Sequence, residues 1–426
     1  MKKNGVYKTK LDNGLTVLLK EVHAAPLVSA WVWYRVGSRH ERPGLTGISH
    51  WLEHMMFKGT RRFPGEESER LIARDGGVRN AMTWIDWTAY FETLPSDKID
   101  YALRLEADRM RHAQFSSAEV ESERTVVISE RQGSENNPAF RLAEEVQNAA
   151  FRVHSYHHEV VGDMADLQRM TGDDLRQHYR RYYAPDNAVM VAVGDFQTRA
   201  MLARLKLLFG RHTAQAPEPV ITRPEPDQHG ERRLTLHGEG ETSYLEAAYH
   251  VPNATHPDFY PLVALDSILG GAGSLNPFGS GTSNKSSRLY KALVDTGLAA
   301  GVSGNLSPTV DPYLYSIFAV AREGRSPAEV EQALDAEIDR VRAEPVAEAE
   351  LAKALKQARA FFAYDTESVT RQGAWLGITE MFGTYEWFDK HLDRLAAVTT
   401  ADVQRVAQAY LVKTNRTVGH FVPEKK

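Results

Sequence analysis

Alternating and helical patterns of apolar residues divide the first half of the chain into predicted strands and helices. Residues 11–22, LDNGLTVLLKEV, place apolar residues on both sides of an Asp-Asn-Gly turn, which predicts a β-hairpin. A strongly β-prone run follows at Leu27–Val36. Residues 97–150 are predicted to form two long helices. The second begins at Ser116, whose Ser-x-x-Glu spacing to Glu119 is typical of a capping box.

The pattern changes at residues 213–232, after a predicted helix from Thr171 and the apolar strand AVMVAVGDF. The stretch TAQAPEPVITRPEPDQHGER is rich in proline and charge and has little periodicity, which indicates a linker. We therefore predict an N-terminal domain at 1–212 and a C-terminal domain at 233–426.

The two predicted domains resemble each other in sequence. MADLQRMTGDDLRQHYRRYYAPDNAVMVAV and LDRLAAVTTADVQRVAQAYLVKTNRTVGHFV align at a constant offset of 228 residues. The identical pairs are Leu167 and Leu395, Thr171 and Thr399, Asp174 and Asp402, Tyr182 and Tyr410, and Asn187 and Asn415. Any capped helix followed by a turn and a strand shares some of these features, but five identities in one register favour duplication. The predicted fold is α+β, with two homologous domains that each pack helices on a mainly antiparallel sheet.

Composition and charge exclude several classes of function. The 426 residues carry a net charge of −5 and include no long basic run, which gives no argument for nucleic-acid binding. No apolar run approaches the roughly 18 residues that read as a membrane span. The chain contains no cysteine, so a metal ion would have to be held by histidine and carboxylate ligands.

The pentapeptide HWLEH at residues 50–54 is the strongest chemical signal in the chain. On a helix, at about 100° per residue, its apolar neighbours form one stripe, while His50, Glu53 and His54 point to the other side. Thr46 is predicted to cap the helix and Gly59 to follow its end. Two imidazoles four residues apart can reach one zinc ion, and H-x-x-E-H is the inverted form of the commoner zinc signature.

A catalytic zinc ion keeps three protein ligands and one open position, so a third ligand is needed. The predicted helix SAEVESERTVVISERQGSE offers Glu121, Glu123 and Glu130. Helical spacing does not choose among them, and any one of them taken alone is more often part of a solvated acidic face.

The sequence resembles the pitrilysin/insulinase-type zinc peptidases, and within them the mitochondrial-processing-peptidase-like branch. The pieces that carry this resemblance are GLTGISHWLEHMMFKGT, GGVRNAMTWIDWTAYFETL, ERTVVISE and VVGDMADLQRMTGDDLRQHYRRYYAPDNAVMVAVGDF, in that order. The resemblance implies a zinc ion held by His50, His54 and Glu130, with Glu123 steadying the site from behind. Glu53 would be the general base in a hydrolysis of peptides or unfolded polypeptide segments.

One further expectation follows from the resemblance, and another follows from the internal repeat. Substrate would lie extended along an edge strand within GGVRNAMT, at Asn80 and Ala81, and add a strand to the sheet. A local offset of 215 between the halves puts three apolar residues opposite the H-x-x-E-H residues, so one zinc ion per chain is expected. These residues are Leu265, Ile268 and Leu269.

One segment departs from the family pattern. Active relatives carry an arginine and a tyrosine seven residues apart in the second half, and the tyrosine is thought to stabilise an oxyanion. Here those positions are Leu293 and Ala300, which cannot donate to an oxyanion. We expect either a weak peptidase or the catalytic subunit of a heterodimer, whose homologous partner lacks H-x-x-E-H and supplies the Arg/Tyr pair. A homodimer remains open, as does a non-catalytic subunit that is structural or binds peptides with the help of zinc.

The start of the chain, MKKNGVYKTKLDNGLTVLL, has no apolar segment followed by a small-residue cleavage site. A cytoplasmic protein is therefore expected, or a periplasmic one if a leader has been removed.

Overall fold

The predicted hairpin and the strand after it belong to a seven-stranded sheet. The computed structural model describes residues 2–3, 5–214, 223–278, 282–283 and 285–424. The strands of this sheet are β1 (Lys2–Lys3), β2 (Val6–Lys10), β3 (Thr16–Glu21), β4 (Leu27–Tyr34), β5 (Val78–Thr83), β6 (Thr88–Pro95) and β7 (Ala188–Gly194). Their order is β1-β2-β3-β7-β4-β6-β5, and only the β3–β7 pair is parallel.

The second half builds a five-stranded sheet with the same plan. Its strands are β8 (Arg232–Gly238), β9 (Tyr244–Val251), β12 (Ala299–Leu306), β13 (Tyr313–Ala321) and β14 (Arg416–Pro423), while β10 (Ala272–Gly273) and β11 (Thr282–Ser283) form a separate pair. The order is β12-β13-β9-β14-β8, with only β14–β8 parallel. This order matches β5-β6-β4-β7-β3 strand for strand.

The repeated residues make the same contacts in both sheets. The side-chain amide of Asn187 donates to the carbonyl oxygen of Tyr182 at 2.9 Å, and that of Asn415 donates to Tyr410 at 2.9 Å. Thr171 and Thr399 each cap a helix in a capping box with the aspartate three residues later. The predicted α+β fold with two homologous halves is confirmed.

Fourteen α-helices accompany the two sheets within the described residues. They are α1 (Ile48–Phe57), α2 (Gly65–Arg74), α3 (Ile99–His112), α4 (Ser117–Glu135), α5 (Pro138–Ala150), α6 (Met164–Arg169), α7 (Gly172–Tyr182), α8 (Thr198–Phe209), α9 (Phe259–Leu269), α10 (Pro327–Ala343), α11 (Glu348–Asp365), α12 (Val369–Phe382), α13 (Glu386–Ala396) and α14 (Thr400–Tyr410).

The prediction of two helices over 97–150 is wrong, because three are present. The chain breaks at Asn137, whose side chain accepts from the backbone N–H of Ala139 and caps α5, with Pro138 at its first position. Asn-Pro favours this break, since proline disfavours helical backbone in the residue before it. The predicted cap at Ser116 is present: its hydroxyl accepts from the N–H of Glu119 at 3.2 Å.

The compact units of the fold are not continuous in sequence, unlike the predicted domains 1–212 and 233–426. The first unit comprises Met1–Gln132, His158–Thr222 and Thr366–Phe388. The second comprises Gly133–His157, Arg223–Asp365 and Asp389–Lys426. Each unit therefore includes one helix from the other half: α5 packs on β14 and β9, and α12 packs on β4 and β7.

Glycines allow α12 to lie against the first sheet. A Cβ atom at Gly373 would lie 2.5 Å from Trp31 Nε1, and one at Gly377 would lie 2.0 Å from Trp33 Nε1. Both tryptophans are fully buried, and their indole rings pack against α12 at its two glycine positions, where a larger side chain would collide with them. Nothing in the local pattern of 369–382 indicates this long-range pairing, which explains why the predicted boundaries differ from the compact units.

The predicted linker 213–232 falls partly outside the described residues, at 215–222. Beyond that gap the carboxylate of Glu225 accepts hydrogen bonds from the backbone N–H groups of Arg152, Val153 and His154 at 2.7–3.1 Å. Among the described helices, none is long and apolar enough to cross a bilayer.

Candidate metal centre

The helix that carries HWLEH has the two faces predicted for it. In α1, the side chains of Ile48, Trp51, Leu52 and Met55 are buried in the core of the first unit. His50, Glu53 and His54 are half-buried on the opposite face. Gly59 follows the helix in a left-handed conformation, with φ of 86°.

The predicted cap at Thr46 is wrong. The residue before α1 is Gly47, and the first turn is held by the buried carboxylate of Glu41, which accepts from the backbone N–H groups of Gly47 and Ser49 at 2.8 Å each. Thr46 instead donates its hydroxyl proton to Asp166 at 2.7 Å. A carboxyl group six residues upstream replaces the usual neighbouring cap and satisfies two backbone N–H groups at the start of α1.

We expect Glu41→Ala to lower the free energy of unfolding by about 1–3 kcal/mol, because two buried backbone N–H groups lose their acceptor. Urea titration followed by circular dichroism would show a lower midpoint with an unchanged slope. Glu145→Ala, at an exposed position in the middle of α5, is the control and should stay within about 0.5 kcal/mol of wild type. An equal stability of both variants would contradict the capping role of Glu41.

Three side chains converge where the sequence predicts a zinc site. His50 Nε2 and His54 Nε2 lie 3.3 Å apart, and Glu130 Oε2 lies 3.8 Å and 3.5 Å from them, respectively. Tetrahedral zinc bonds of about 2.0–2.1 Å put ligand atoms about 3.3–3.4 Å apart, so the three atoms fit one ion with little adjustment. Within the described residues, this is the one group of three or more histidine or carboxylate side chains whose ligand atoms all lie within 4.8 Å of one another.

The other two glutamates of α4 have different surroundings. Glu123 accepts a hydrogen bond from His54 Nδ1 at 2.9 Å and forms an ion pair with Lys58. Although burial opposes it, these hydrogen bonds hold the pKa of Glu123 below its usual value. Glu121 is exposed and paired with Arg124 at 2.9 Å. The positions of these glutamates differ accordingly: Glu130 faces both histidines, whereas Glu123 contacts His54 from the other side of its ring.

The two imidazoles are prepared for metal binding in different ways. The contact with Glu123 makes Nδ1 of His54 the hydrogen-bond donor and leaves Nε2 with a free lone pair, as in many carboxylate–histidine–metal groups. Burial, reinforced by the nearby His54, lowers the pKa of His50 to about 4. His50 is therefore neutral at pH 7, which is the form that binds metal.

We expect Glu123→Gln to weaken zinc binding about 10–100-fold, since the orienting carboxylate behind a histidine ligand typically contributes that much. Competition with a chromophoric zinc chelator measures the affinity. The matched control is Glu121→Gln, two residues earlier on the same helix, which should bind zinc as the wild type does. Identical affinities of both variants would contradict the positioning role of Glu123.

Glu53 lies near His50, His54 and Glu130 but does not belong to that group of three. Its Oε2 accepts a hydrogen bond from the hydroxyl of Thr83 at 2.6 Å, at the end of β5. Burial raises the pKa of Glu53, whereas the hydrogen bonds from Thr83 and the nearby imidazole of His54 oppose this shift. A carboxylate with a raised pKa is better suited to take up a proton near neutral pH.

Asn80 and Ala81 lie on β5, which is the last strand of the seven-stranded sheet and pairs on one side only, with β6. The backbone N–H of Trp84 donates to the carbonyl oxygen of Trp87 at 2.8 Å, so these two residues form a hydrogen-bonded pair beside the two strands. From this pair onward, hydrogen-bonded and non-hydrogen-bonded residue pairs alternate along β5 and β6. In an antiparallel ladder, Arg79, Ala81 and Thr83 then direct their backbone N–H and C=O groups to the open side. The side chain of Asn80 accepts from the Ala81 N–H at 2.9 Å and covers this edge.

The positions of the second unit that correspond to the H-x-x-E-H residues carry no histidine or carboxylate side chain. Helix α9 follows β9 as α1 follows β4, and the counterparts of the H-x-x-E-H residues, Leu265, Ile268 and Leu269, are buried. Leu293 is fully buried, whereas Ala300 is exposed at the start of β12.

Three residues of the site were missed by the sequence analysis. Glu41 and Lys58 act through contacts that no local pattern signals. Thr83 had a signal, because it ends the predicted substrate strand and a β-branched polar residue there can reach the helix. The contact between Glu53 and that strand could not be predicted without knowing the register of the sheet.

Two homologous α+β halves and a two-histidine, one-carboxylate group with a further glutamate beside it are typical of one class of metal-dependent hydrolases. A sequence model described as Insulinase (Peptidase family M16) matches residues 16–164, and one described as Peptidase M16 inactive domain matches residues 169–358. The chain belongs to this peptidase family, as the resemblance predicts.

Individual relatives agree with this assignment. The chain is 29% identical over 424 residues to the zinc protease PqqE of Helicobacter pylori, covering 97% of this chain and 92% of that protein. It is 27% identical over 399 residues to the uncharacterized zinc protease YmxG of Bacillus subtilis, covering 93% of both chains. The crystal structure of a protease from Helicobacter pylori superposes with a TM-score of 0.92 at 26% identity, covering 98% of this chain and 99% of that one.

Proposed function

We propose that the chain is a zinc-dependent endopeptidase that hydrolyses peptides or unfolded polypeptide segments. The observation that carries the proposal is the convergence of His50, His54 and Glu130 at ligand distances from one another. A bound zinc ion supplies Lewis acidity, which polarises a carbonyl group and lowers the pKa of water. The names of the relatives as zinc proteases support the same metal, and one ion per chain is expected.

Glu53 is proposed as the general base. Its carboxylate is anchored by Thr83 and projects from the same helical face as both histidines, so it can take a proton from the attacking water and deliver it to the leaving amine. Because Glu53 hydrogen-bonds to the end of β5, the base and the proposed substrate strand are fixed to each other. This contact supports a reaction on a peptide bond that lies along β5.

The open edge of β5 is proposed to bind the substrate main chain. Arg79, Ala81 and Thr83 offer backbone groups in the spacing of a β-ladder, so affinity does not require a particular substrate sequence. Asn80 would release the Ala81 N–H when substrate arrives, because its side chain occupies that donor in the free protein. Extended segments bind such an edge, whereas folded proteins rarely present one.

We expect Ala81→Pro to lower kcat/KM about tenfold with little change in melting temperature. Proline removes an N–H that faces the open side of β5, and edge positions of this kind tolerate proline. The paired control is Met82→Pro, whose N–H faces β6, so that this variant should lose stability instead. Steady-state kinetics and thermal unfolding of both variants decide the matter. An unchanged kcat/KM for Ala81→Pro would exclude main-chain binding at this edge.

The missing arginine and tyrosine support a second part of the proposal, that the chain is the catalytic subunit of a heterodimer. With Leu293 and Ala300 at those positions, a homologous partner would supply the oxyanion donor. Loss of one such donor typically costs about 10²–10³ in rate. A purified single chain with full oligopeptidase activity would exclude this arrangement. The compartment, cytoplasmic or periplasmic, stays a prediction.

The same two residues favour one alternative, a zinc-dependent peptide-binding subunit with negligible turnover. Such a protein would bind zinc and peptide and would leave the peptide intact after prolonged incubation. A quenched fluorescent peptide separates the two functions, because fluorescence rises only on cleavage.

A further inference from the structure

A lysine at the end of α1 contacts the carboxylate that lies behind the candidate metal centre. Lys58 follows the last residue of the helix, and its backbone N–H donates to the carbonyl oxygen of Met55 at 3.1 Å. Its ammonium group forms an ion pair with Oε2 of Glu123, whereas Oε1 of the same carboxylate accepts from His54 Nδ1 at 2.9 Å. The two oxygens of one carboxylate are thus divided between a lysine and a proposed zinc ligand.

Burial explains why Glu123 needs the lysine as well as the histidine. The side chain of Glu123 is 8% exposed, and within the described residues its polar partners are His54 and Lys58. A buried carboxylate whose one partner is a neutral imidazole is costly, since the charge loses its hydration. Without the ammonium group, the carboxylate would gain free energy by turning toward water. Nδ1 of His54 would then lose the acceptor that fixes the orientation of its ring.

Helical spacing extends the effect of this ion pair to the third proposed ligand. His54 and Lys58 are four residues apart, so they lie on the same side of α1 and one residue of α4 can contact both. Glu130 follows Glu123 by seven residues, about two helical turns, and therefore shares its face of α4. The contacts of Glu123 fix the part of α4 that presents Glu130 to both histidines.

A lysine at the end of a helix has a simpler explanation, because a positive charge there interacts favourably with the carbonyl groups of the last turn. That role requires no contact with another side chain. The side chain of Lys58 is only 33% exposed, and its ammonium group reaches a buried carboxylate. The carboxylate in turn contacts a proposed ligand, which the simpler role does not explain.

We propose that Lys58 is a positioning residue of the candidate zinc site, which holds the carboxylate of Glu123 against His54 and thereby prepares both helices for the metal. The inference rests on the proposed zinc site and adds a residue that acts through another. It predicts the sign of an effect. Removal of a positive charge near a divalent cation would strengthen zinc binding if Coulomb repulsion dominated, whereas loss of a positioning residue weakens it.

Zinc affinity of the full chain, measured by competition with a chromophoric chelator, tests the proposal. We expect Lys58→Met to weaken zinc binding about tenfold, as for other partners behind a metal ligand. Lys58→Arg keeps the charge and a donor and should stay within about threefold of the wild type. Lys206→Met is the matched control, because it removes an exposed lysine from the last turn of α8. It should bind zinc as the wild type does.

The double variant Lys58→Met/Glu123→Gln shows whether the lysine acts through Glu123. Effects of residues in one hydrogen-bonded group are not additive, so the double variant should bind zinc no more weakly than Glu123→Gln alone. A lysine with an independent effect on the site would give additive losses instead. Thermal unfolding of the metal-free variants verifies that each is folded. If Lys58→Met does not fold, Lys58→Gln replaces it and should also weaken zinc binding, by about fivefold or more.

Unchanged or tighter zinc binding by Lys58→Met, an equal loss in Lys58→Arg, or additive losses in the double variant would overturn the proposal. A wild-type chain that binds no zinc would refute the zinc site together with this inference. Zinc binding that is the same in wild type and variant would refute this inference alone. The test does not depend on peptide cleavage, so a chain that binds zinc without peptidase activity still decides it.

Discussion

Replacing Glu53 by glutamine should reduce peptide cleavage by about 10²–10⁴-fold, the contribution expected of a general base, while zinc binding stays at one ion per chain. The amide keeps the size of the side chain and can still contact Thr83, but it cannot take a proton from water. Neither histidine loses a partner, because the hydrogen bond of His54 Nδ1 goes to Glu123. This variant should therefore lose cleavage activity but keep its zinc ion.

Cleavage of a quenched fluorescent peptide and elemental analysis of the same preparation measure both quantities. Glu67→Gln, an exposed glutamate of α2, is the control and should match the wild type in both. Wild-type cleavage by Glu53→Gln would refute its role as base. A simultaneous loss of zinc would show that Glu53 is a ligand, contrary to the assignment of Glu130.

The second large effect is expected from His54→Ala. This change removes one of the three proposed ligand atoms and also leaves Glu123 without the imidazole that it contacts. Zinc affinity should fall by more than the roughly 10–100-fold expected for Glu123→Gln, because that variant changes a residue behind a proposed ligand and leaves the ligand itself in place. Peptide cleavage should fall with it, because the metal is lost at ordinary zinc concentrations.

Chelator competition and the peptide assay measure the two losses. His112→Ala is the control, since His112 is an exposed histidine paired with Asp108 at 3.1 Å and lies outside the ligand group. If His54→Ala retained zinc at wild-type affinity, the three-ligand site would have to be abandoned.

Local sequence patterns predicted those features of the fold that depend on neighbouring residues. The hairpin around Asn13-Gly14, the two faces of α1 and the caps at Thr171 and Thr399 follow from periodicity and turn chemistry. The Asn137-Pro138 pair indicates a break between helices, but the helical periodicity on both sides of it favoured one continuous helix. Contacts that no local pattern signals were not predictable in this way. Glu41 replaced Thr46 as the cap of α1, and α12 joined the first sheet through Gly373 and Gly377.

The candidate site shows the same division. Spacing alone indicated the two histidines and Glu53, because all three lie within five residues of one helix. Helical spacing could not choose among the glutamates of α4, which lie some 70 residues further along the chain. That choice came from the resemblance to the family, and the geometry supports it: Glu130 faces both imidazoles, while Glu123 is held by Lys58 behind one of them.

The central claim is that this chain cleaves internal peptide bonds with one zinc ion bound by His50, His54 and Glu130. The most direct test is cleavage of a quenched peptide under excess enzyme, which detects slow turnover, by metal-free protein titrated with zinc. We predict no cleavage without metal, a rise in rate that ends at one zinc per chain, and internal cleavage products by mass spectrometry. Cleavage that is independent of zinc, or none at any zinc level with and without a homologous partner, would contradict the claim.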